Sequence, residues 1–171
     1  MITITDLTKE YGPSKGVFDL SFTVNRGEVF GYLGPNGAGK TTTIRNLLGF
    51  IHPDKGSCTI DGYDCHREGA KIQENLGYLP GEIAFFDAMT GDEFLHLMTE
   101  MRRMKDTTKQ KQLIELFDLD TKSSIRKMSK GTKQKLGLVC AFMHDPDVLI
   151  LDEPTSGLDP LMQNLFVNLI L

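Results

Sequence analysis

Gly34-Pro35-Asn36-Gly37-Ala38-Gly39-Lys40-Thr41-Thr42 is the stretch whose reading decides the fold. It carries G-x-x-x-x-G-K-[ST], a glycine-rich loop that cradles phosphates between a strand and a helix. The apolar run before it, Val29-Phe30-Gly31-Tyr32-Leu33, reads as a buried strand. After it, Ile44, Leu47, Leu48 and Ile51 recur at i, i+3, i+4 and i+7, one face of a helix. A triphosphate carries several charges that must leave water. Backbone N–H groups replace that water only where nothing blocks their approach, hence Gly34, Gly37 and Gly39. The helix that starts at the loop adds a positive dipole end and unpaired donors. Lys40 supplies a mobile cation for the β- and γ-phosphates, and the Thr41 hydroxyl is a hard oxygen suited to Mg²⁺. The plainer alternative is a glycine-rich turn that only caps a helix.

The chain of 171 residues has room for one domain with a real core and too little for two typical ones. A net charge of −4 gives no global attraction for nucleic acid. The basic cluster Arg126, Lys127, Lys130, Lys133 and Lys135 is local. It lacks interleaved aromatics, so a solvated helix face is expected rather than a nucleic-acid site. Three cysteines, Cys58, Cys65 and Cys140, suit a reducing compartment. With His66 they match no common zinc spacing and lack a fourth ligand. Met1–Asp6 alternates like a strand, without the basic-then-apolar order of a signal peptide. The longest apolar run, near Val148–Leu151, falls far short of the ~20 residues that span a bilayer.

Short strands are predicted at Ile2–Ile4, Val17–Val24 and Val29–Leu33, the last two joined by the turn Asn25-Arg26-Gly27-Glu28. Pro53-Asp54-Lys55-Gly56-Ser57 reads as a turn. Cys58-Thr59-Ile60 then enters a tight turn at Asp61-Gly62. Leu76–Leu79 is a short strand stopped by Pro80. Thr90 with Glu93 is a capping box, ahead of helical spacing at Phe94, Leu97, Met98 and Met101. Further helices carry Leu113, Ile114, Leu116 and Phe117, then Leu136, Val139, Cys140 and Met143. Residues 85–144 are therefore expected to form a helical insertion in a mixed strand-and-helix domain, with the methionines as core filler. Val148-Leu149-Ile150-Leu151 reads as a strand covered on both faces. It delivers Asp152 and Glu153 to the carboxyl edge of a parallel sheet, where ligands bind in such folds. Asp152 can hold Mg²⁺ directly or through water, and Glu153 can orient or deprotonate an attacking water. A solvated loop after a core strand is the plainer alternative.

These residues, in this order, resemble the nucleotide-binding subunit of an ABC (ATP-binding cassette) transporter. Tyr11 stands where that family has an aromatic that stacks on adenine, though a packing role in a β-turn would also suit it. Gly34–Thr42 resembles Walker A. Tyr78-Leu79-Pro80-Gly81-Glu82 resembles the Q-loop region, and Met128-Ser129-Lys130-Gly131-Thr132 the signature segment. Leu151-Asp152-Glu153-Pro154 resembles Walker B, and Ser156-Gly157-Leu158-Asp159 the D-loop. The implied fold is α/β, a P-loop NTPase core with an N-terminal antiparallel β-subdomain and an inserted helical subdomain. The implied cofactors are ATP and Mg²⁺, on Gly34, Pro35, Asn36, Gly37, Ala38, Gly39, Lys40, Thr41 and Thr42, with Asp152 as the second metal residue. Two cassettes would face head to tail. Ser129 and Gly131 of one would close on the γ-phosphate held by Lys40 of the other, Glu153 would be the base, and Asp159 an interface contact. Ser129 would cap its own helix in either case.

The resemblance has departures. Gly81 replaces the Q-loop glutamine, so its role is lost, taken by water or passed to Glu82. Lys130 and Thr132 replace the first glycine and the glutamine of LSGGQ. Lys130 then either adds charge near the partner's phosphates or points to solvent. This signature and Q-loop look like those of bacterial exporters for drugs, antibiotics or lipids. The family continues past the equivalent of Leu171 with a strand and a histidine, and neither His96 nor His144 is in position for it, so a truncated cassette is expected. Residues 160–171 carry no charge, and such a helix wants cover on several sides. The resemblance implies an ATPase subunit at the cytoplasmic face of the membrane. Its partners would be a separate transmembrane permease and a second cassette, with no nucleic acid bound. The alternative is a truncated nucleotide-binding or self-associating module with weak MgATP binding and little turnover.

Overall fold

The computed structural model describes residues 1–171, and the chain divides into two units, Met1–Gln73 and Glu74–Leu171. In the first, Ile2–Gly12 (β1) alternates apolar and polar residues from Ile2 to Thr5 and forms the middle of an antiparallel ladder. It pairs with Lys15–Val24 (β2) on one side and Lys55–Ile60 (β3) on the other. Tyr63–Asp64 (β4) completes the sheet, in the order β2-β1-β3-β4. The register sets Ile4 opposite both Phe22 and Cys58, and it gathers Ile4, Leu7, Val17, Cys58 and Ile60 as buried residues. Asp61 and Gly62 have φ of 48° and 82°, the paired positive values of a two-residue hairpin turn, as expected from Asp-Gly. The preceding turn is shorter than expected, because β3 already begins at Lys55.

The expected strand at Val29–Leu33 does not form. It joins neither sheet, and Val29, Phe30 and Leu33 are 60%, 43% and 91% exposed. Ring packing holds it instead: Phe22 of β2 stacks on Phe30 (centroids 5.0 Å apart) and meets Tyr32 at 5.6 Å. A continuous apolar run asks for cover but has no period-2 alternation to fix a register, so it cannot specify its own ladder partner.

Lys40–Leu47 (α1) contacts β2 and β3 and buries Thr43, Asn46 and Leu47. The apolar period runs on to Ile51, but the helix stops earlier. Gly49 takes φ 72°, its N–H returns to Asn46 O, and Phe50 N–H returns to Arg45 O. That pair of bonds is a Schellman stop. Beside α1, the Cys58 thiol donates to Asn46 O (3.4 Å) and lies 3.7 Å from His66 Nε2. No group of three or more His, Cys, Asp or Glu is arranged to hold a metal ion.

Gly69–Glu74 (α2) ends at the boundary of the second unit. There Leu76–Leu79 (β5) and Val148–Leu151 (β6) pair in parallel, Leu76 with Val148 through Leu79 with Leu151. Gly91–Met101 (α3) starts from a complete capping box: Glu93 N–H donates to Thr90 Oγ1, and Thr90 N–H donates to Glu93 Oε2. Thr108–Leu116 (α4), the 3₁₀ turn Ile125–Lys127 and Lys130–Phe142 (α5) follow. The core is built around α5. Its Leu136, Leu138 and Val139 are fully buried among Leu95, Leu113, Phe117 and Ile125, with Met128 and Met143 filling gaps. Pro160–Ile170 (α6) buries Met162 and Phe166, while Leu161 and Val167 are 65% and 43% exposed, so it has cover on one side only. No helix is long and apolar enough to cross a membrane.

His144, just after α5, donates from Nε2 to Leu76 O (3.1 Å), the carbonyl that also receives Arg102 Nη2. Burial, helped by the Arg102 charge, holds its pKa below the ordinary value. Burial also pushes the Cys140 thiol up to about 12, which leaves it a packing residue.

α3 and α4 also end in Schellman stops, but with non-glycine residues in the left-handed region: Arg103 at φ 53° and Asp118 at φ 46°. A Cβ there costs about 1 kcal/mol or more, least for Asp. Arg103→Gly is expected to raise stability by about 1 kcal/mol and Asp118→Gly by less. Urea midpoints at unchanged slope are the readout.

Candidate functional site

In the first unit the loop 34–42 is built by three glycines, each needed for a different reason. Gly37 and Gly39 have φ of 85° and 87°. A Cβ on Gly39 would sit 2.4 Å from Val17 Cγ2 on β2, and one on Gly34 would press on Ala38 Cβ at 3.1 Å. The loop is closed by Ala38 N–H on Pro35 O (3.2 Å), and Gly34–Ala38 are all exposed. Lys40 folds back over it: its ammonium donates to Gly34 O (2.6 Å) and Pro35 O (3.0 Å). An ammonium has three donors, so a third is left to reach a ligand oxygen. The first bond into α1 is Thr43 N–H to Gly39 O. The N–H groups of Lys40, Thr41 and Thr42 therefore stand at the open, positive end of the helix. Exposed backbone donors, a cation and a helix terminus in one loop make an anion cradle. Asn36 forms its exposed crest, and Thr41 is exposed in the first turn.

The helix is anchored from below. Thr43 is buried, donating to Gly39 O (3.1 Å) and sharing a hydrogen bond with Tyr32 OH (3.2 Å). Asn46, fully buried, donates to Thr42 O (2.9 Å). Tyr11 stands at the far end of β1, 56% exposed, with Lys9 Nζ 6.0 Å from its ring centre.

In the second unit, Asp152 and Glu153 follow β6 directly. Asp152 N–H donates to Leu79 O (2.9 Å), which continues the parallel ladder one residue past the strand. Gly81 lies against it: a Cβ there would be 3.2 Å from Asp152 Oδ2. Glu153 is exposed and takes φ 50°, an unusual region for any non-glycine residue and doubly so before a proline. Ser129 caps α5, its hydroxyl accepting from Thr132 N–H (3.1 Å). Gly131 fits beneath the turn that follows Glu153, where a Cβ would be 2.6 Å from Gly157 O. Asp159 caps α6, with Oδ1 accepting from Met162 N–H (3.0 Å) ahead of Pro160. The turn 152–159 thus carries the acid pair at one end and Asp159 at the other, and it packs on the first turn of α5 at Lys130 and Gly131.

Residues 17–156 match the family described as ABC transporter. The chain belongs to the ABC transporter family. It is 40% identical over 163 residues to the bacitracin transport ATP-binding protein BcrA of Bacillus licheniformis, covering 94% of this chain and 53% of that protein. It is 36% identical over 169 residues to the linearmycin resistance ATP-binding protein LnrL of Bacillus subtilis, covering 96% and 54%. A solved ATP-binding subunit of an ABC transporter superposes with a TM-score of 0.87 at 32% identity, over 98% of this chain and 72% of that one. The chain spans about half the length of those two curated relatives. The fold is the α/β P-loop NTPase cassette with its N-terminal antiparallel sheet.

Within that family, two departures acquire a physical setting. Gly81 puts the Q-loop position in contact with Asp152 but offers it no side chain. Lys130 stands by Gly157, with its Cγ 3.0 Å from where a Cβ on Gly157 would be, so its stem covers the turn. Lys133 of the same basic cluster pairs with Asp87 (3.5 Å). Sequence reasoning missed Thr43, Asn46 and, above all, Gln134. Gln134 is 4% exposed, and its Nε2 donates to Glu153 O (3.3 Å) and Pro154 O (2.9 Å). The signal was present: Gln134 lies at i, i+4 and i+7 with buried Leu138 and Ala141, a polar residue on the apolar face.

Proposed function

We propose that this chain is the ATP-binding and ATP-hydrolysing part of an ABC exporter, energising transport through a separate membrane subunit. The observation that carries the reading is the anion cradle of residues 34–42, with Lys40 held over it by two carbonyls. The β- and γ-phosphates take the loop N–H groups and the third Lys40 donor, and Tyr11 offers a ring for adenine to stack on. Thr41 and Asp152 are each a hard oxygen donor of the kind Mg²⁺ takes. When bound, the ion draws charge from the phosphate oxygens. Glu153 accepts the proton of the attacking water.

A second cassette supplies the remaining donors. The α5 N-terminus, with Ser129 and the Gly131 backbone, offers a positive dipole end to the partner's γ-phosphate. Asp159 is a contact across the same interface. Work done on two cassettes reaches the membrane subunit at the cytoplasmic face. The names of the relatives, a bacitracin transport protein and a linearmycin resistance protein, favour antibiotics or similar amphipathic molecules as cargo.

The test is calorimetric titration of MgATP into the full protein, with Lys40→Ala beside it. Saturable binding is expected in the parent, weakened about 30- to 100-fold in the variant, the usual loss when one partner of a close charge pair is removed. Equal affinities would refute the site.

A further inference from the structure

We propose that Gln134 is the positioning residue for Glu153: its amide fixes the backbone that aims the carboxylate. This rests on the reading of Glu153 as the base. Glu153 precedes Pro154, and a pre-proline residue prefers extended backbone. Here it is held at φ 50° instead. Such a conformation persists only when its surroundings over-determine it.

Three contacts do so, all from the first turns of α5. The two N–H bonds of Gln134 end on the successive carbonyls of Glu153 and Pro154. Gly131 admits Gly157 O at a distance no side chain would allow, and the Lys130 stem lies over Gly157. Positions 130, 131 and 134 share one face of the helix. Of these, only Gln134 reaches the residues that carry the acid. It is buried, so water cannot replace its two bonds. The Glu153 carbonyl also receives Ser156 N–H (3.0 Å), which closes the turn. With the amide removed, the pre-proline backbone is free to return toward extended values, and the Glu153 side chain leaves its direction. Because Ser129 caps the same helix, the amide also ties the base to the segment that faces a partner's phosphates.

The experiment uses the full protein. Gln134→Met keeps length and volume and deletes both donors. At saturating MgATP its kcat is expected to fall at least tenfold, with ATP affinity within twofold of the parent. Amide hydrogen exchange at Ser156 is expected to accelerate by a similar factor. A kcat within twofold of the parent overturns the proposal, and so does unchanged exchange at Ser156. A role in packing alone would lower the melting temperature without splitting kcat from affinity. If Gln134→Met does not fold, Gln134→Leu, apolar and without donors, is read in the same way. Glu153→Gln is run beside it. If that variant turns over like the parent, the reading of Glu153 has failed, and Gln134 is then judged on Ser156 exchange alone.

Discussion

Glu153→Gln is expected to lower MgATP turnover of the full protein by about 10²- to 10⁴-fold, the range lost with a positioned general base. ATP affinity should stay within about threefold. The Lys40 cradle belongs to residues 34–42, and the substitution leaves every backbone group of that loop in place. The new side chain has the same shape and the old one is exposed, so stability should change by no more than about 0.5 kcal/mol. A fall in kcat and kcat/KM together, with binding retained, marks an interaction made only in the transition state. Turnover within tenfold of the parent would mean that Glu153 only orients water, or that the base lies elsewhere. Single-turnover measurement with excess protein separates that loss from slow product release.

What could be read beforehand, and what could not, follows from how locally each feature is encoded. The cradle was legible, because Gly-rich spacing, a lysine and a following helix are all neighbours in sequence. The capping box at Thr90 and the Asp61-Gly62 turn were legible for the same reason: two nearby residues fix each. β5 and β6 were found as short apolar runs bounded by Pro80 and by Asp152. The same signal misled at Val29–Leu33, where the apolar run is present but the ladder is not, because pairing depends on a second segment that the run does not specify. The helix face running to Ile51 misled as well, since the Schellman stop at Gly49 outweighs an apolar period. The cap that Asp159 places on α6 was not drawn from the sequence, although Asp before Pro160 is a helix-start signal. The grip of Gln134 on Glu153 and Pro154 joins positions about 20 residues apart and rests on a conformation that no local pattern announces.

Gly77→Ala is expected to destabilise the second unit by about 4 kcal/mol or more, at the extreme of single-residue effects. Gly77 is buried in the middle of β5, opposite Leu149 of β6. A Cβ there would lie 2.1 Å from Ala141 O, 2.7 Å from Leu149 Cδ2 and 2.9 Å from Pro146 Cγ. The Leu149 side chain could turn away. The Ala141 carbonyl could not, because it belongs to the last turn of α5, whose Leu136, Leu138 and Val139 are locked in the core. Interiors are close-packed, so the strand, the helix or both must shift, and the β5–β6 ladder that delivers Asp152 shifts with them. Folded domains hold only about 5–15 kcal/mol, so little would remain. Gly62→Ala is the comparison. Its φ of 82° strains a side chain, which the backbone of Gly77 does not, but nothing lies within 4 Å of the new Cβ, so it should cost only about 1–2 kcal/mol. Urea unfolding followed by far-UV circular dichroism measures both. A loss below about 1 kcal/mol for Gly77→Ala would show that α5 does not approach β5 this closely. The seating of the 152–159 turn on α5 would then need a different account.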